Sequence, residues 1–373
     1  MCQHQKIPVT RNLSIDLFRG IAALGIILHH SISYNAAGYV PAYFVPITML
    51  AEVPAFFFLS GATFYYLHDV KQYLCRLMKL AITYVIFSFF YTFFIALFDC
   101  FNTPQAFSPT AFLLDWFKMS IFRGTDHHFF TAVNASMWFM PLYFKVLLSY
   151  GLFLWAASYI AKKLTAYHPT LHHKRTLAIL IAIAILFSAV FFLLLQAGFY
   201  IPLLQIQVLF YGLFLLLGCL LLPVTIKCLS SLLLLLLGNM LLFITVLTLY
   251  DGHFTKMISY KFPPHIIFFI FSFFFIIITL YLKQCPFTSR NILVKIGQNS
   301  LYIFFAQGFA VSLTGHLINP LTSPWPLKLL LTLLCNILIT LLIATLLRTL
   351  ILPPVRLITH SFSRLLTRPT QLH

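Results

Sequence analysis

Apolar runs close to twenty residues long recur down this chain, and each can cross a hydrocarbon core of about 30 Å as a helix. That feature leaves few folds open. A backbone in lipid must satisfy its own hydrogen bonds, which a helix does within one segment. The strands of an outer-membrane barrel would alternate polar and apolar residues, and these runs do not. Ten runs are read, at about 14–34, 45–67, 78–98, 136–160, 177–197, 203–222, 229–250, 265–282, 297–318 and 327–347. Only 8% of the residues are charged, against about 25% in a soluble domain, so the runs are not the core helices of a soluble fold. The expected architecture is an all-α membrane protein, a polytopic bundle of about ten transmembrane helices.

Orientation follows from the basic residues. With a cytoplasmic N-terminus, Lys118, Arg123, Lys256, Lys261 and Lys328 lie on the far side and Lys145 lies inside the fourth run; the other 18 of the 24 Lys and Arg lie on the cytoplasmic side. That bias predicts N-in and C-in, which requires an even number of spans. The same dispersal into short loops argues against a nucleic-acid partner, despite a formal net charge of +17. Seven cysteines without CxxC spacing give neither a zinc site nor a disulfide framework. Asp16 and Arg19 interrupt the start of the first run and no small-residue cleavage site follows it, so it is read as an uncleaved span. Residues 1–350 form one transmembrane domain in this reading, and 351–373 a basic cytoplasmic tail. A long polar loop is expected over about 99–135. Its His127 and His128 resemble half a metal site, but they have no spaced Cys or carboxylate partners, so no metal is expected.

The first run carries the sharpest functional signal. IDLFRGIAALGIILHHSISY holds Asp16, Arg19, His29 and His30 in an otherwise apolar stretch. Ionisable groups inside a span are expensive and default to a functional reading. Arg19 and His30 are eleven residues apart, close to three helical turns, so they share a face about 16 Å apart along the axis. Asp16 lies one turn before Arg19 and can pair with it, or can cap the helix. Gly20, Ala22, Ala23 and Gly25 let another helix approach closely, so the stripe is expected to face the bundle. The bland alternative is an arginine that snorkels to the interface beside interfacial histidines.

Other candidates follow from the same rule. Glu52 sits in an apolar run beside Pro54, and Lys145 lies well inside the fourth run, where it should pair or face a cavity. Ser60 with Gly61 reads first as a pair of small packing residues and second as a cavity lining. Arg76 and Lys79 are either positive-inside charges or receivers of donor phosphates. Trp138 reads first as an interfacial belt aromatic and second as a sugar-stacking platform.

Several of these residues fall in motifs that resemble the acyltransferase-3 family of integral membrane acyltransferases. Arg19, ten intervening residues and His30 match its first-helix signature, framed by Asp16, Gly20, Ala22 and Ala23. EVPAFFFLSG (52–61) is similar to its second-span FF-x-x-SG segment, and Arg76 and Lys79 fall where the family carries basic residues. MWFMP (137–141) is similar to its W-F-L-P segment, and GQNSLYIFFAQ (297–307) to its late G-x-x-S-x-x-Y-L-x-H segment. The resemblance implies transfer of an acyl group, often acetyl, from acyl-CoA to hydroxyls of sugars, surface glycans, glycolipids or small lipophilic molecules. It makes His30 the expected general base, because an imidazole can accept the proton of the attacking hydroxyl near neutral pH; a covalent acyl-histidine is the alternative. Arg19 would bind a phosphate of acyl-CoA or orient the catalytic face. One position departs from the pattern: Gln307 stands where the family often has histidine, and glutamine can hydrogen-bond but cannot shuttle protons.

The expectation is thus a multi-pass protein of the cytoplasmic (inner) membrane, with acyl-CoA as donor substrate, no bound cofactor, a sugar or glycolipid acceptor and lipid around it. Oligomeric state is open. The competing reading is a transporter or exporter of a polysaccharide or amphiphile, and a third is a non-catalytic partner in glycan assembly. The sequence has no visible internal repeat, which weakens the transporter.

Overall fold

The computed structural model describes residues 12–36, 38–64, 70–102, 108–121, 130–167, 172–196, 202–221 and 223–367. Among them the architecture is helical throughout. In chain order the helices are α1 (Leu13–His30), α2 (Phe44–Thr48), α3 (Val53–Phe64), α4 (Val70–Asn102), α5 (Pro109–Ile121), α6 (Thr131–Met137), α7 (Phe139–Tyr167), α8 (His173–Gln196), α9 (Leu203–Leu221), α10 (Leu229–Leu249), α11 (Ile266–Leu282), α12 (Ile292–Gln298), α13 (Ser300–Ile318) and α14 (Trp325–Thr367). Nine stretches of the described residues are long and apolar enough to cross a membrane, and the expected eighth span is present as the shorter Ile266–Leu282 helix. The protein is therefore a multi-pass membrane bundle.

Small residues set the closest packing, as expected where lipid supplies no hydrophobic drive between helices. A Cβ added to Gly20 would fall on the carbonyl of Leu293, and one added to Gly297 on the carbonyl of Asp16, so α1 and α12 touch backbone to backbone. Gly61 and Gly218 do the same for α3 and α9. Between α4 and α13 the contact is aromatic: Phe87 and Phe305 stack with centroids 4.0 Å apart. By contrast α10 is mostly outward-facing and rests on α11, where the Asn239 side chain donates to the Ile270 carbonyl at 3.3 Å.

Two of the apolar runs are broken, and proline explains both breaks. Pro54 has no N–H for the carbonyl of Leu50, and its ring would clash there. The second run accordingly passes from α2 through a tight turn at Met49–Ala51 to an extended Glu52 (φ −103°, ψ −151°) before α3 begins. Pro141 has the same relation to Met137, and the fourth run divides at Trp138 between α6 and α7. A third irregularity follows His30, where α1 widens into a π-helical turn over Ser31–Ala36. Asn336 on α14 donates to Ser31 Oγ at 2.6 Å, and Asn35 donates to the Val311 carbonyl at 2.9 Å, fixing that turn. Irregular backbone at membrane depth is tolerated where protein or a cavity surrounds it.

Two expectations need correction. The region 99–135 is not a plain loop: α5 and α6 lie within it, and Trp116 Nε1 and Ser120 hydrogen-bond α5 to Val85 and Ser88 of α4. Nor does helix stop near 347. α14 continues to Thr367 through Pro353 and Pro354, because Ile351 and Val355, four residues apart, keep one face buried.

Candidate active site

The three irregular stretches converge around the end of α1. Asn12 caps that helix, its Oδ1 accepting from the Ser14 and Ile15 N–H groups at 3.0 and 3.2 Å. Asp16 is therefore not the cap; it is buried in the first turn and pairs with Arg19 at 3.8 Å. Regular helix from there to His30 carries Arg19 and His30 on one face, as the spacing requires.

At His30 the hydrogen bonds form a directed chain. Ser136 spends its hydroxyl proton on the Ala132 carbonyl at 2.6 Å, so its oxygen can only accept from Gln307 Nε2, 3.1 Å away. That turns Gln307 Oε1 toward His30 Nδ1 at 2.6 Å, and a carbonyl oxygen requires Nδ1 to carry the proton. The Nε2 of His30 is left with its lone pair, and no hydrogen bond among the described residues engages it. The ring is half-buried, edge-on to Tyr34 at 5.5 Å. Gly308 makes this meeting possible: a Cβ there would sit 2.8 Å from Val133 Cα, so α13 lies directly against α6.

His29 occupies the other side of the helix end and is not a bystander. Thr48 donates its own hydroxyl to the Val45 carbonyl at 2.7 Å, so at 3.0 Å it accepts from His29 Nδ1. His29 Nε2 meets Glu52 Oε1 at 3.0 Å. Both ring nitrogens thus face acceptors. The second oxygen of Glu52 takes the Lys261 ammonium at 2.6 Å. Glu52 is 1% exposed and Lys261 and His29 6% each, so this is a buried triad built on the Lys261–Glu52 ion pair, not a surface ion pair. Lys261 packs against Trp138 and Phe262, 5.8 and 5.3 Å from their ring centres. The His29 and His30 rings lie 5.7 Å apart, which makes the triad a wall of the His30 site.

The structure therefore gathers His30, Gln307, Glu52 and Trp138 into one region and places Arg19 with Asp16 three turns away on α1. Trp138 is half-buried, with its ring 4.9 Å from that of Phe262 and 5.8 Å from the Lys261 ammonium. Ser60 stays outside: it bonds the Phe56 carbonyl and the Tyr143 hydroxyl on the face where α3 meets α7 and α9. Arg76 and Lys79 are exposed on the first turns of α4. Lys145 is exposed on α7 with no ion pair among the described residues. His127 and His128 lie outside the described residues. Sequence reading missed Ser136, Thr48 and Lys261. The first two are ordinary hydroxyls in apolar runs. Lys261 looked like a loop charge, although its neighbours Tyr260, Phe262, Pro263 and Pro264 are a poor setting for a solvated lysine.

Comparison with known proteins adds one result. A family model described as an acyltransferase domain matches residues 12–348, which include every residue of the site. No curated protein and no solved structure matches the chain.

Proposed function

The chain belongs to the acyltransferase-3 family of membrane acyltransferases, and on that premise we propose that it moves an acyl group, acetyl first among the candidates, from acyl-CoA to a hydroxyl of a sugar, surface glycan or glycolipid. The observation that carries the reading is the bond from His30 Nδ1 to Gln307 Oε1, which leaves Nε2 as a free base. The acceptor hydroxyl attacks the thioester carbonyl while His30 Nε2 takes its proton. A carbon–oxygen bond forms, the carbon–sulfur bond breaks, and the imidazolium returns the proton to the departing CoA thiolate. Gln307 takes no proton; its carbonyl holds the ring and supports the transient positive charge. The missing family histidine thus leaves acid and base work to the one residue His30.

Arg19 anchors the donor end in this reading. Its guanidinium suits a phosphate, Asp16 limits its swing, and the helix face between Arg19 and His30 gives the thioester a route inward. The excess of Lys and Arg on one side supports a cytoplasmic position for Arg19, the side on which acyl-CoA would be met, and exposed Arg76 and Lys79 would recruit the donor phosphates. Trp138, beside Ser136, forms part of the acceptor wall. Mass spectrometry of glycans and lipids from cells with and without the protein tests the proposal. New base-labile acyl esters that depend on the chain support it; altered export of a substrate without ester formation would favour the transporter.

A further inference from the structure

The proposed reaction makes no use of Lys261, yet the fold buries this cation in a membrane bundle and brings it 209 residues across the sequence to Glu52. We propose that Lys261 is a positioning residue for the transfer site, an inference that rests on His30 being the base. The chain of contacts is continuous. Lys261 holds one oxygen of Glu52 at 2.6 Å, and the other oxygen holds His29 at 3.0 Å. His29 also donates to Thr48 at 3.0 Å, within the same broken run as Glu52. His29 and His30 are the last two residues of α1, immediately before the π-helical turn. Gln307 grips one of them and Glu52 the other, so the helix end is fixed from two sides and the direction of His30 Nε2 depends on both.

Lys261 supplies more than charge balance. Glu52 has an extended backbone at the break, and its side chain is the only tie from that break to the end of α1 among the ion pairs of the described residues. Without the ammonium, a carboxylate 1% exposed would lose its strongest partner and turn elsewhere, drawing His29 with it. The short segment around Lys261 is itself anchored: Met257 is fully buried, and the residue 265 N–H donates to the Tyr260 carbonyl at 2.8 Å. It presents the lysine from a fixed base, with the Trp138 and Phe262 rings facing its ammonium at 5.8 and 5.3 Å.

The test measures Vmax per mole of protein and donor KM in native membrane vesicles supplied with radiolabelled acetyl-CoA, counting base-labile acetyl esters on their endogenous acceptors. The variants are Lys261→Met, Lys261→Arg, Lys261→Met with Glu52→Gln, and His30→Ala. Positioning predicts that Lys261→Met lowers Vmax by about 10²-fold, the scale of an ångström-level misplacement, with donor KM within about two-fold. Lys261→Arg, which keeps the charge and a donor to Glu52 but not the compact ammonium, recovers part of that loss. The double variant removes the unpaired carboxylate and restores detergent-solubilised stability, while Vmax stays low. Full activity in Lys261→Met, or full recovery of Vmax in the double variant, would overturn the proposal, since either outcome reduces Lys261 to charge neutralisation. Should Lys261→Met fail to fold, the double variant still decides. His30→Ala separates the two claims: if it is active, the proposed mechanism fails, and if it is inactive beside an active Lys261→Met, positioning alone fails.

Discussion

Replacing Gln307 by leucine takes away the acceptor of the His30 Nδ1–H and the donor to Ser136 in one step, with little change in volume. The bond to His30 is part-buried and the bond to Ser136 buried, at 2.6 and 3.1 Å, and Gln307 itself is 1% exposed, so water has little access to replace them. Leaving a buried polar group unsatisfied costs about 1–3 kcal/mol. If that falls on the transition state, where Nδ1–H must support an imidazolium, each 1.36 kcal/mol is a factor of ten, and the expected loss in Vmax is about 5- to 150-fold. Donor KM should stay within about two-fold, because Arg19 is untouched and lies about 16 Å away along the helix. Gln307→Glu is the informative partner: a carboxylate accepts from Nδ1–H at least as well, so it should retain more activity than leucine. Initial rates of acetyl-ester formation from labelled acetyl-CoA in membrane vesicles give both values. Wild-type Vmax in a folded Gln307→Leu variant would refute the assigned tautomer and the directed chain behind it.

Four further outcomes are expected. His29→Ala should lower stability by about 1.5–3 kcal/mol, the range for hydrogen bonds to charged groups, read as a shifted melting midpoint in detergent. Gly297→Val should cost more than about 3 kcal/mol, the upper end of ordinary overpacking, because its Cβ meets the Asp16 backbone carbonyl directly; a drop in the yield of monodisperse protein reports it. Pro54→Ala lets helix run through the break at Glu52 and should lower Vmax more than it lowers the melting midpoint. Lys145→Leu, at an exposed position on α7, should leave the rate of ester formation within about two-fold, since outward-facing changes away from such sites are small.

Much of the fold was legible because a bilayer imposes length and apolarity on every crossing. All ten apolar runs are helical over most of their length, and the small residues of the first run do mark a close helix contact, at Gly20. The breaks were harder. Pro54 and Pro141 stand in plain view, but an apolar pattern continues across them, and hydropathy carries no record of a lost backbone hydrogen bond. α5 was hidden for the opposite reason, its polar residues outweighing an apolar face. At the site, the face shared by Arg19 and His30 was readable because helix geometry is local. Partnerships were not. Gln307 was visible only as a departure from a family pattern, and its contact with His30 spans 277 residues. Glu52 announced a need for a cation without saying which. One residue's step along a helix separates the faces of His29 and His30, and nothing local shows that each face meets a different partner.

The most direct measurement is the rate of acetyl transfer by the purified, reconstituted His30→Ala protein, with labelled acetyl-CoA binding followed in parallel. General-base catalysis contributes about 10²–10⁴-fold. A loss of that size with donor binding retained is the predicted result, and ester formation within about two-fold of wild type would contradict the assignment of His30 as the base.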